Sequence, residues 1–168
     1  GFTLVETMVV VVIVLIMAIS VMPSFGGFAR RTKVESAAKD WIAYARYARS
    51  RAVLDTVTYR ISSDLDQQKF WVTYISDSSD TLGQFISPPG EWGNQVSLDS
   101  TVTLSSIQIN TDPPVESGLV TMDFTPRGST VNATLIFKND NGDENWVEVD
   151  GLTGRVEMLS QATTDEQS

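Results

Sequence analysis

Residues 1–28 read Gly1-Phe2-Thr3-Leu4-Val5-Glu6-Thr7, an apolar run from Met8 through Ile19, then Ser20-Val21-Met22-Pro23-Ser24-Phe25-Gly26-Gly27-Phe28. Between Phe2 and Phe28 there is a single charge, Glu6. About 20 mostly apolar residues suffice to span a bilayer, and Thr7 to Phe28 supplies that length. The run has no polar face, so it is not the stripe of a surface helix. It must lie in lipid or among helices of its own kind. Glu6 stands near one end of the run. A carboxylate there either snorkels to an interface or pairs with a cation once the helix is packed among others. Pro23 removes a backbone donor and is expected to kink the helix, and Gly26 and Gly27 weaken it further.

The six residues Gly1 to Glu6, followed by the long apolar stretch, resemble the prepilin processing motif of type IV pilins and type II secretion pseudopilins. That resemblance implies cleavage after Gly1 by a prepilin peptidase and N-methylation of Phe2. It also implies that Glu6 neutralises the N-terminal amine of a neighbouring filament subunit. A proline at position 23 fits the same resemblance and implies local melting of the helix on entry into the filament. The sequence begins at Gly1, so a trimmed leader and a retained Gly1 are both open readings.

The positive-inside rule taken alone would place Arg30, Arg31 and Lys33 in the cytoplasm, whereas the resemblance puts this end of the span in the periplasm. The cluster itself is read as a belt of cations snorkelling at the headgroups. From Ala29 to Leu54, Val34, Ala38, Trp41, Ala45, Ala48 and Ala52 fall at spacings of three and four and form one stripe of mostly small residues. Glu35, Lys39, Asp40, Arg46, Arg49 and Arg51 occupy the opposite face, as a solvated face does. The segment Ala45-Arg46-Tyr47-Ala48-Arg49-Ser50-Arg51-Ala52-Val53 resembles the helix end of the H-type minor pseudopilins and their minor-pilin relatives.

Beyond Leu54 the period becomes two. Val57, Tyr59 and Ile61, then Phe70, Val72 and Tyr74, predict a hairpin across the polar connection 62–68. Strands are expected over Val102–Ile109, Val120–Phe124, Val131–Phe137 and Val147–Val149. Asn141-Gly142 marks a tight turn, and Asp150–Val156 a turn leading into an edge strand. Phe124-Thr125-Pro126-Arg127-Gly128 and Asp150-Gly151-Leu152-Thr153-Gly154-Arg155-Val156 again resemble the H-type family. Residues 76–95 read as a long loop. Trp92 within it is either an anchor for a partner or part of a lid folded over the core.

Of the 168 residues, none is cysteine and none is histidine. Disulfides, Cys-ligated metals and the commonest general base are excluded. The net charge is -9. Residues 61–168 hold 4 basic and 17 acidic side chains, so the head should repel phosphate backbones. Asp140 to Glu144 carries three carboxylates, but their spacing does not match an EF-hand loop, and a solvated hairpin tip is the expectation. No nucleophile and base pair up, and no phosphate-cradling loop follows a strand. The chain is read as neither an enzyme nor a metalloprotein, and no cofactor is expected.

The fold class read from this is α+β: a long N-terminal helix, apolar in its first half and amphipathic in its second, packed on an antiparallel β head. The units are 1–28, the processing motif and transmembrane helix; 29–54, the amphipathic helix; 55–160, the head; and 161–168, a disordered tail. The resemblance implies a minor pilin or pseudopilin that helps initiate or cap a type II secretion pseudopilus or a type IV pilus. It would be a single-pass protein of the bacterial inner membrane with its head in the periplasm or in the filament. Its partners would be other subunits, the membrane and the prepilin peptidase. An alternative is a DNA-binding minor pilin for DNA uptake. Some relatives bind DNA through a C-terminal Gly-Arg-x-Arg, but here the matching residues are Gly154-Arg155-Val156-Glu157, with an acid in the last place.

Overall fold

The structure is a computed structural model that describes residues 1, 3–21, 24–77 and 80–159, the stretch 18–31 by its backbone alone. Helix α1 runs Leu4–Val21 and helix α2 Ser24–Asp55. Nine strands follow: β1 Tyr59–Asp64, β2 Lys69–Ile75, β3 Phe85–Ile86, β4 Val96–Ser97, β5 Val102–Ile109, β6 Leu119–Phe124, β7 Ala133–Asn139, β8 Glu144–Val149 and β9 Val156–Leu159.

The apolar run Met8–Ile19 lies within helix α1, whose 18 residues reach about 27 Å at about 1.5 Å each. Among the described residues no helix is long and apolar enough to cross a membrane. The single span expected over residues 1–28 includes Met22 and Pro23, which lie outside the described residues, as do Phe2 and the tail 161–168. Gly26 and Gly27 fall in the first turn of α2, whose backbone is helical there.

Helix α2 is the spine of the head. Val34, Ala38, Trp41, Ala45, Ala48 and Ala52 are all fully buried, so the small-residue stripe faces the core. Alanines let backbone approach closely, and α2 consequently touches strands of two sheets. One is antiparallel in the order β3-β2-β1-β6, with β4 sharing the outer edge of β2; the other runs β5-β7-β8-β9. The antiparallel head expected from the sequence pattern is thus built as two sheets. Their inner faces, Tyr59, Ile61, Phe70, Val72 and Met122 on one and Leu104, Ile107, Leu135, Phe137 and Val147 on the other, merge with the α2 stripe in a single core. Trp41 fills its centre and donates its indole N–H to Ser63 Oγ at 3.1 Å, so the one polar atom it buries is satisfied.

A side chain joins the two sheets. Gln68, in the β1–β2 turn, accepts from the Leu104 amide at 2.7 Å and donates to the Leu104 carbonyl at 3.3 Å. This side-chain amide mimics a strand partner where β5 bulges between Leu104 and Ser106. Strands β3 and β4 cover the edge of β2, which removes one open edge from the head.

Candidate assembly surfaces

The apolar side chains described in helix α1 are all turned to the surface of the chain. Leu4, Val5 and every residue from Met8 through Met17 are exposed, between 47% and 77%. A helix that is apolar on all sides needs an apolar medium or other helices around it. At its start Thr3 and Glu6 form a reciprocal cap. The Thr3 amide donates to Glu6 Oε2 at 3.4 Å and the Glu6 amide to Thr3 Oγ1 at 3.3 Å. This is the Ser/Thr-x-x-Glu capping box, which satisfies orphan donors at a helix start and places a carboxylate at the positive end of the helix dipole. The signal was legible as Thr3-x-x-Glu6 ahead of an apolar run, and reading Glu6 only as an intramembrane charge overlooks it. Gly1 lies exposed beside this cap.

Of the basic cluster Arg30, Arg31 and Lys33, the side chain described is that of Lys33. Its ammonium pairs with Asp99 Oδ2 at 3.0 Å, clipping the first part of α2 to the β4–β5 connection. Asp99 also accepts from the Thr101 hydroxyl and amide. Those two bonds, then Lys33, hold its carboxyl down at about 2.

The 76–95 loop closes on α2. Strand β3 pairs with Tyr74 and Ile75, and one 3₁₀ turn, Glu91–Gly93, presents Trp92 to the helix. The Trp92 ring stacks flat on Tyr47, centroids 4.5 Å apart and planes 4° apart, and leans on Tyr44 at 4.9 Å. Tyr44 donates its hydroxyl proton to the Glu91 carbonyl at 3.3 Å. Of the two readings of Trp92, the structure takes the lid. Beneath it Tyr59 stacks on Tyr74 and donates to Asp55 Oδ2 at 2.7 Å. Burial, then the bond to Asp55, pushes the Tyr59 hydroxyl up to about 12.

The three segments that resemble the H-type family lie far apart in sequence and meet in space. Gly128 of the β6–β7 turn and Gly154 of the β8–β9 turn press together. A β-carbon on Gly154 would stand 2.0 Å from the Gly128 carbonyl oxygen and 3.0 Å from Arg49 Cδ, and one on Gly128 would stand 3.3 Å from Val53 Cγ2. Both glycines have positive φ, +80° and +63°, which L side chains rarely adopt. The end of α2 is thus laid across two turns that only glycine permits.

Two further segments weighed in the sequence have local partners. At the β7–β8 tip, Asp143 accepts from Asn139 Nδ2 at 2.9 Å, and Glu144 pairs with Lys138 at 2.8 Å. Among the described residues no group of three possible ligands is placed to hold a metal. In the segment Gly154-Arg155-Val156-Glu157, the Arg155 guanidinium is ion-paired with Glu157. The acid that departs from the DNA-binding pattern occupies the one arginine the pattern retains.

Comparison with known proteins gives a consistent picture. The sequence profile described as type II transport protein GspH matches residues 37–153, more than half of the chain. Among solved structures, the Vibrio cholerae minor pseudopilin EpsH of the type 2 secretion system superposes with a TM-score of 0.65 at 11% identity, covering 79% of this chain and 99% of that one. The Pseudomonas aeruginosa type IV minor pilin FimU gives 0.56 at 18%, covering 81% and 95%. Escherichia coli GspH in solution gives 0.56 at 15%, covering 80% and 92%. At these identities the likeness speaks for the fold. No curated protein matches by sequence.

Proposed function

The chain belongs to the GspH family of type II transport proteins, and we propose that it is a minor pilin-like subunit, structural and not catalytic, of a type II secretion pseudopilus or a type IV pilus. The observation that carries this is α1: an apolar helix whose described side chains are exposed on every side, starting within the Gly1–Glu6 motif and joined to a head of this family. Such a helix is useless to a free protein and suited to two environments, the bilayer before assembly and a bundle of like helices after it.

In this reading the prepilin peptidase cuts between Gly1 and Phe2, and Phe2 is then N-methylated. The apolar segment, extended beyond Val21 toward Phe28, anchors the chain once through the inner membrane with the head in the periplasm. Glu6 sets register by meeting the N-terminal ammonium of a neighbour. The H-type resemblance favours a subunit that helps initiate or cap the filament over one that forms its bulk.

Mass spectrometry of the native protein should find Phe2 at the N-terminus carrying one added methyl group, and the protein should be recovered with sheared filaments. A native chain left uncleaved at Gly1 and absent from the sheared fraction would overturn the reading.

A further inference from the structure

Every arginine of the head whose side chain is described has a partner except two. Arg46 donates to the Val156 carbonyl at 2.9 Å. Arg51 pairs with Asp55, Arg60 with Asp123 and Arg155 with Glu157. Arg49 and Arg127 have neither ion pair nor hydrogen bond among the described residues, and both are exposed. They stand together: Arg127 precedes Gly128, and Arg49 Nε is 3.6 Å from the β-position of Gly128. Two unpaired arginines meeting at one turn stand out on a chain of net charge -9. Val53, 49% exposed at the same end of α2, reaches the β-position of Gly128 at 3.3 Å, and Leu152, 85% exposed, is in the β8–β9 turn that carries Gly154.

We propose that this corner, Arg49 and Arg127 framed by Val53 and Leu152, is the face by which the head grips a carboxylate-bearing, partly apolar segment of a neighbouring subunit. This rests on the reading of the chain as a filament subunit and adds where on the head the neighbour sits. Arginine enriched among apolar groups is the composition of a protein–protein interface core. The guanidinium fork matches a carboxylate bidentately, and flanking Val53 and Leu152 would shield such a pair from water. The Arg49 stem lies against Gly154, so part of its side-chain freedom is already spent before docking. A polyanionic nucleic acid fits less well. Two free cations neutralise few phosphates, and the cleft beside the same turn is lined by Glu148, Asp150 and Glu157.

The test uses the full chain in cells that assemble the filament, with Arg127→Glu, Leu152→Ser and the double variant Arg49→Glu/Arg127→Glu. Membrane level, melting of the detergent-solubilised chain and recovery in sheared filaments are read for each. Arg127→Glu and Leu152→Ser should melt like wild type, insert like wild type, and fall about tenfold in filament recovery, the effect of losing one interface hot spot. Arg127→Lys should recover part of that loss. Should the double variant melt early because Arg49 also packs the turns, the two single variants carry the test alone. Wild-type recovery for both single variants overturns the proposal. Absence of the wild-type chain itself from filaments would instead overturn the functional reading on which it rests. A gel shift with a short DNA duplex that the double variant abolishes would assign the corner to nucleic acid and overturn the protein partner.

Discussion

Trp92 lies flat on Tyr47, ring planes 4° apart at a centroid distance of 4.5 Å. That stack is what makes a 20-residue connection part of the head and not a free arm. It joins the long loop to the middle of α2, directly over the Tyr59–Tyr74 pair, and the loop in turn carries β3 onto the edge of β2.

Trp92→Ala should therefore loosen the loop without unfolding the head. Loss of two aromatic contacts and of partial burial should cost roughly 1–2 kcal/mol, seen as a lower melting temperature. Hydrogen exchange should rise over residues 80–97 and stay unchanged over β7 and β8. Equal loss of protection across both sheets would show that the lid is instead an integral part of the core.

The Tyr59 hydroxyl gives the head an alkaline limit. Its folded pKa, raised to about 12, exceeds the ordinary value of about 10 in an unfolded chain. The folded state thus holds this proton more tightly. The stabilisation is fully present below pH 10 and is lost as pH rises from 10 through 12. Tyr59→Phe removes the titrating group, so denaturant midpoints of the variant should fall less steeply over that window than those of wild type. Parallel slopes would mean that other tyrosines set the limit.

Much of this fold was legible because its signals are local. The 3–4 spacing from Val34 to Ala52 could only put small residues on one face, and that face is the buried one. The alternations at Phe70–Val72 and Leu135–Phe137 likewise fix which residues point inward. The division into two sheets was not legible. It depends on which strands pair, β1 with β6 in one sheet and β5 with β7 in the other, and pairings between strands so far apart in sequence have no periodic signature. The Arg49 corner was hidden for a similar reason: its three segments are ordinary turn and helix-end sequences until the glycines bring them together. Lys33 was read by its neighbours in sequence, whereas its partner Asp99 is 66 residues away.

Trp41 tests whether the head stands without its apolar arm. Deleting residues 1–28 should leave a soluble, folded monomer, because α2 from residue 34 onward already fills the core with its own stripe. In that head Trp41→Asp places an unpaired charge at a fully buried position and strands Ser63, and should cost several kcal/mol, enough to unfold a marginal domain. Circular dichroism melts of the two proteins decide it. Similar melting temperatures would mean that α2 is not the spine.

Glu6 has two candidate roles that one substitution separates. Within its own chain it caps α1 by accepting from the Thr3 amide, a role that needs an acceptor oxygen but no charge. Between subunits, pairing with a neighbour's ammonium needs the charge itself, since it is the attraction in a low-dielectric bundle that selects one axial stagger. Glu6→Gln keeps the acceptor and removes the charge; Glu6→Ala removes both. If register is the function, both variants should insert in the membrane normally, Ala even more readily because a charge no longer enters lipid, and both should be depleted from sheared filaments. If capping is the function, Gln should behave as wild type, and only Ala should fray the first turn, at a cost of about 1 kcal/mol. The subunit's place in the filament enters as well. A subunit at the very tip has no subunit above it to neutralise, so normal recovery of Glu6→Gln in filaments, together with normal membrane levels, would either assign this chain to the tip or remove Glu6 as the register-setting group. Repeating the substitution in the subunit that forms the bulk of the same filament distinguishes the two, because there the glutamate always faces a neighbour.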